Sequence, residues 1–180
     1  ALSGKQVTAW KDALASDPES AFGCIVAFNS KVTTDTAKEI GSHFVECIIA
    51  PSFETEALEI LSGKKNRRLL SIAPNMQKLS PQTSQVVAKQ INGGWLLQTE
   101  HSPKIDPKLA RSVTKNEPTE QEIAAMRFGM VVCEQVKSNS VIFVKGTKTV
   151  GIGPGQTSRV EAVRIAARRA GDEAKGAVMV

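Results

Sequence analysis

Apolar positions in the first seventy residues alternate between two periods. Val7, Trp10 and Leu14 recur at three- and four-residue spacing after Ser3, which predicts a helix capped by Ser3 and ended before Asp17-Pro18. "AFGCIVAFN" is a short apolar run bounded by turn residues and predicts a buried strand. "TDTAKEIGSHF" predicts a second helix opened by Thr34, and "FVECIIA" a second strand stopped by Pro51. "ETEALEILSGKK" predicts a third helix with Ala57, Leu58 and Leu61 inward and Gly63 near its end, and "RRLLSI" a third strand. Connections this long imply parallel pairing through right-handed crossovers, hence a layered α/β fold.

The pattern then changes. "SQVVAKQI" and "WLLQT" flank "INGG" and predict a β-hairpin or a pair of neighbouring strands, followed by a proline-punctuated loop, "SPKIDPK". Thr119 with Glu122 three residues on is a capping box, and Ile123, Met126, Met130 and Cys133 trace an apolar stripe down a helix reaching about Lys137. "SVIFVK" and "TVGIG" predict strands on either side of Gly146. A last helix follows with Val160, Val163, Ala167 and Ala170 inward and Arg164 and Arg168 together on another face, before a terminal strand in "GAVMV". The expected organisation is one domain in three parts: 1–75 α/β, 76–118 hairpin and loop, 119–180 α/β.

Composition narrows the function. No apolar run is long enough to span a bilayer and the first ten residues lack the charge pattern of a signal peptide, so a cytoplasmic protein without membrane contact is expected. Cys24, Cys47 and Cys133 are odd in number and far apart, which predicts reduced, mostly buried thiols. With His43 and His101 isolated and no C-x-x-C pair, no metal site is expected; each histidine reads as a surface or core-edge residue. The net charge of +5 fits an anionic partner. Aromatics at 4% and the absence of Tyr argue against nucleic acid, and the runs "KKNRR" (64–68) and "RIAARR" (164–169) read as solvated faces.

Three stretches could carry chemistry. "TVGIGPGQTSR" (149–159) places free backbone N–H groups at a helix start, suited to a phosphate or carboxylate, although its glycine spacing matches neither nucleotide fingerprint. The alternative is a turn that simply needs glycine's positive φ. In "VKSNS", Ser138 and Asn139 lie where a helix passes into a strand, a place where ligands gather in parallel sheets, or where a polar residue merely ends the helix. Glu46 sits among apolar neighbours, which is costly for an acid unless it is paired, protonated or facing a ligand. No Ser-His-Asp set is credible with two distant histidines, and no base flanks Cys24 or Cys47.

"DPESAFGCIVAFN", "FVECIIAPSF", "INGG", "PTEQEI", "VKSNSVIFVK", "VGIGPGQTSR" and "KGAVMV" occur in an order that resembles the formyltransferase part of the AICAR transformylase/IMP cyclohydrolase family, over essentially the whole chain. The resemblance implies a cytidine-deaminase-like layered fold with a mainly parallel sheet and flanking helices, free of zinc. It implies formyl transfer from 10-formyltetrahydrofolate, as cosubstrate, to the amine of AICAR, giving FAICAR, by a homodimer with sites at the subunit interface. It assigns nucleotide binding to Gly23, Glu46, Asn139 and Arg159, with Asn139 supporting catalysis, and folate contact to Phe22 and Val160. The family has glycine or aspartate at the place of Cys24.

Three family features have no counterpart in the sequence: a Lys-His pair in "KHxxPxG" used for proton transfer, a "SDAFFPF" segment, and a phosphate-binding Arg-Tyr. The expectation is a fragment of a transformylase, inactive or nearly so alone, since positioned acid–base groups supply about 10² to 10⁴ in rate. Two other classes compete: a non-catalytic nucleotide-phosphate binding module, and, resting on net charge only, a basic nucleic-acid binder.

Overall fold

Three parallel strands form the first sheet of the computed structural model, which describes residues 1–72, 86–99 and 110–180. The chain enters through α1 (Gln6–Ser16), then runs β1 (Cys24–Ala27), α2 (Thr34–Gly41), β2 (Val45–Ala50), α3 (Thr55–Ser62) and β3 (Arg68–Ser71). The strand order is β1-β2-β3, each pair parallel. Trp10, Val32, Ile40, Ile48 and Leu61 are buried together, which packs the helices on one face of the sheet. The opposite face is open: Ile25 is 71% exposed, and Phe22, Phe44 and Leu70 are exposed beside it.

Boundaries differ from expectation by small, local amounts. α1 is capped at Lys5 rather than Ser3, whose hydroxyl accepts from the Lys5 N–H at 3.2 Å. α2 is capped by Thr33, so Thr34 is its first residue. Leu58, expected inward, is exposed, while Ala57 and Leu61 are buried in the core and Ile60 packs against it. The run "KKNRR" is not wholly a solvated face: Arg67 is buried, and its guanidinium donates to the carbonyls of His43 (2.9 Å) and Val45 (3.1 Å). Burial lowers its pKa from the ordinary value, and these carbonyls are its compensation.

β4 (Val86–Ile91) and β5 (Gly94–Thr99) make the expected hairpin, turned by Asn92-Gly93 with Gly93 at φ 86°. Every residue of both strands is exposed. "SPKIDPK" and His101 lie outside the described residues.

The last part holds α4 (Glu120–Glu134), β6 (Val141–Lys145), β7 (Lys148–Gly153), α5 (Arg159–Ala170), one 3₁₀ turn (Gly171–Ala174) and β8 (Val178–Met179). Its sheet, ordered β7-β6-β8, is antiparallel, so among the described residues the parallel strand pairs are those of the first sheet. The cause is the tight reversal at Gly146, φ 57°, which leaves no room for a crossover. The capping box of α4 is present, but α4 ends at Glu134. Met126 and Met130 are exposed, and Ala125, Phe128, Gly129 and Val132 face the sheet together with Cys133 of the expected stripe. α5 is rotated likewise: Ala162, Ala166 and Ala170 are buried while Val160 is 58% exposed.

α1 joins the two sheets. The Leu2 N–H donates to the Thr147 carbonyl (2.8 Å), the Ser16 and Thr149 hydroxyls are 2.9 Å apart, and Asp17 pairs with Arg169 at 3.4 Å. Among the described residues no helix is long and apolar enough to cross a membrane.

Candidate functional site

Two groups of the expected residues assemble, each within one sheet's surroundings. The first lies on the open face of the parallel sheet. Gly23 enters β1 at φ 72°, a conformation that favours glycine, and its N–H donates to the Phe44 carbonyl at 2.9 Å. Phe22, 80% exposed, packs on Phe44 with ring centroids 4.7 Å apart at 37°. Two neighbouring aromatic rings that water still reaches make a small exposed apolar surface.

Glu46 takes the paired alternative among those the sequence left open. It is exposed rather than enclosed by apolar neighbours, and Arg68 pairs with it at 3.4 Å. The register explains this. Cys24 pairs with Val45 and Ile25 with Cys47, so Glu46 is the extra residue of an irregularity in β2. Such a bulge re-aims a side chain, and here Val45 stays in the core and Glu46 is exposed, while Cys47, itself buried, is in register with the exposed Ile25 of the open face. Cys24, beside it, is partly buried, and burial pushes its thiol up, away from a nucleophilic thiolate.

The second group is built by the glycine turn. Gly155 has φ 64°, and its N–H donates to the Lys137 carbonyl at 2.7 Å. Asn139 and Gln156 exchange backbone hydrogen bonds, each 3.0 Å, and the Ser138-Asn139 peptide is cis. The Asn139 side-chain amide donates to the carbonyls of Gln156 (2.9 Å) and Thr157 (3.1 Å). Two carbonyl partners fix which end of the amide is nitrogen. Both hydrogens are therefore used, and nothing among the described residues donates to its Oδ1. Asn139 precedes β6 of the antiparallel sheet, so the crevice rule for parallel strands does not place it; the turn does.

Arg159 and Val160 open α5 behind the cap Ser158, whose hydroxyl accepts from the Glu161 N–H at 3.4 Å. Arg159 is exposed, with no carboxylate partner among the described residues. A cation at the positive end of a helix is unfavourable until an anion or a strong acceptor joins it. The other glycines of the turn serve packing. A Cβ on Gly153 would collide with the Ala162 carbonyl oxygen, and one on Gly151 with that of Ala166.

No hydrogen bond or ion pair among the described residues joins the two groups. His43 lies against neither, its ring edge-on to Trp10 with centroids 5.6 Å apart. Among the described residues no three His, Cys, Asp or Glu side chains gather as a metal would need. Sequence reading missed Arg68, Phe44 and Gln156. Arg68 was hidden in a basic run, Phe44 in a strand boundary, and Gln156 acts through its backbone, which no residue type reveals.

A family model described as the AICARFT/IMPCHase bienzyme matches residues 1–169. The chain is similar to the bifunctional purine biosynthesis protein PurH of Parvibaculum lavamentivorans, 45% identical over 169 residues, covering 94% of this chain and 31% of that protein. It is 42% identical over 178 residues to PurH of Prochlorococcus marinus strain MIT 9312, covering 99% of this chain and 34% of the relative. PurH of Myxococcus xanthus is 42% identical over 183 residues, with 99% and 35% covered. The chain thus spans about a third of the length of the curated relatives it matches.

Proposed function

Because this chain belongs to the AICARFT/IMPCHase bienzyme family, we propose that it carries part of a site that transfers the formyl group of 10-formyltetrahydrofolate to the 5-amino group of AICAR, giving FAICAR in purine biosynthesis. The observation that carries the reading is Asn139. With both amide hydrogens held by the turn, its Oδ1 is the one side-chain atom left for a ligand, and it accepts. An amine or carboxamide N–H of the nucleotide is the complementary group, and a carbonyl would be rejected. Gly23, Glu46 and Arg159 complete the nucleotide contacts, Arg159 as a fixed cation beside a polar or anionic group.

Exposed apolar side chains support the folate part of the reading. The exposed pair Phe22 and Phe44 can take the flat ring system of a folate, and the exposed Val160 an apolar part of it. The fold is read as cytidine-deaminase-like and zinc-free, acting as a homodimer with sites at the subunit interface. The open face of the first sheet, where Phe22, Phe44 and Glu46 sit, supports a second surface closing over it. Three free thiols support a reducing cytoplasmic compartment.

The test is calorimetric titration of the chain with AICAR and with AMP. AICAR is expected to bind selectively, and Asn139→Ala to weaken it by about tenfold, the size of one hydrogen bond left unmade. Equal weak binding of both nucleotides, unchanged in the variant, would overturn the proposal in favour of a generic nucleotide-phosphate module.

A further inference from the structure

Resting on the nucleotide role proposed for Glu46, we infer that Arg68 is a positioning residue that holds the Glu46 carboxylate with one oxygen free for the ligand. The two carboxylate oxygens have different surroundings. Oε2 is taken by the Arg68 guanidinium at 3.4 Å. Oε1 lies over Gly23, where a Cβ would sit 3.7 Å from it, and Gly23 adjoins the Phe22 and Phe44 pair. Among the described residues no other group donates to Glu46.

The backbone arranges this pairing. Arg68 is in register with Cys47 on the neighbouring parallel strand, and Glu46, exposed at the bulge, directly precedes Cys47. A glutamate at an exposed bulge has three free torsions, so without a partner its oxygens sample many directions. Arg68 selects one of them through its contact with Oε2. The ligand group recognised at Oε1 is a donor: a sugar hydroxyl or an N–H of the nucleotide. Arg68 need not touch the ligand to matter.

A double-mutant cycle on the full chain tests this, with AICAR binding measured by calorimetry for Arg68→Met, Glu46→Ala and the double variant. Arg68→Met is expected to weaken binding about two- to fivefold, the range an exposed ion pair supports, and to have no effect once Glu46 is alanine. Arg68→Lys should restore part of the loss. A loss of the same size in the Glu46→Ala background, or no loss at all, overturns the inference. If wild-type chain fails to bind AICAR, the functional reading falls, and a second measurement still decides the positioning role. Side-chain NMR couplings of Glu46 should show one rotamer in the wild type and averaging in Arg68→Met. Equal averaging in both would end the inference.

Discussion

Gly153 has no room for a side chain, because the Ala162 carbonyl of α5 occupies the place where a Cβ would stand. Gly151 meets Ala166 and Ala170 in the same way, so β7 and α5 approach until backbone touches backbone. Gly153→Ala must push the helix away, and the expected cost is about 1–3 kcal/mol, the usual range for overpacking. Thermal unfolding should show it as a lowered Tm, and an unchanged Tm would mean that the contact yields freely. The sequence places these glycines beside a ligand as readily as beside a helix, since either use demands a missing Cβ. By contrast, Asn139 and Arg159 were singled out as candidates from the motifs that contain them. What was not legible is that Asn139 spends both hydrogens on the turn, because Gln156 and Thr157 hold it with carbonyls that every residue has.

Helix α4 shows how far local rules reach. Its start was written in Thr119 and Glu122: the Thr119 N–H and hydroxyl both donate to the Glu122 carboxylate, at 2.7 and 2.8 Å. Those bonds, the backbone one first, hold the Glu122 carboxyl below the ordinary glutamate range. A depressed carboxylate stabilises the fold above its unfolded pKa and loses that contribution as pH falls through the folded value. The α4 start should therefore loosen only in acid, below the usual glutamate range. The Thr119 amide proton, followed by NMR, should shift as Glu122 titrates and stay flat in Glu122→Gln; titration persisting in that variant would refute the link. Which face of α4 turns inward was not legible. Ile123, Met126, Met130 and Cys133 form one apolar stripe, and Ala125, Phe128, Gly129 and Val132 another beside it. Close approach decides between them. Gly129 lies under Val144 and Val180, where a Cβ would come within 3.0 Å and 2.6 Å of their methyls, so the face with the small residues Ala125 and Gly129 takes the sheet, and Cys133 of the first stripe packs there with it. The same preference for small residues turns α5 onto Ala162 and Ala166.

At the scale of the molecule, the element order of the first sheet was readable because short apolar strands alternate with helices of three- and four-residue apolar spacing. The expectation of a mainly parallel sheet did not extend to the second sheet, because strand character alone carries no direction; the short turn at Gly146 makes that pairing antiparallel. α1 then ties the halves, with Trp10 in the first core and Ser16 bonded to Thr149 of β7. Shared hydrogen bonds and an ion pair across this seam should make the two sheets unfold together. In a Trp95→Phe background Trp10 is the single tryptophan, and its fluorescence should lose native character at the same temperature as the far-UV circular dichroism. Two separate midpoints would show that the sheets fold independently.

The ribbon of β4 and β5 belongs to neither core, since every residue of both strands faces solvent. Its tip, Asn92-Gly93, is accordingly an attachment point: a dye, a spin label or a short affinity peptide placed there would report on ligand closure or tether the protein to a surface while leaving both sheets untouched.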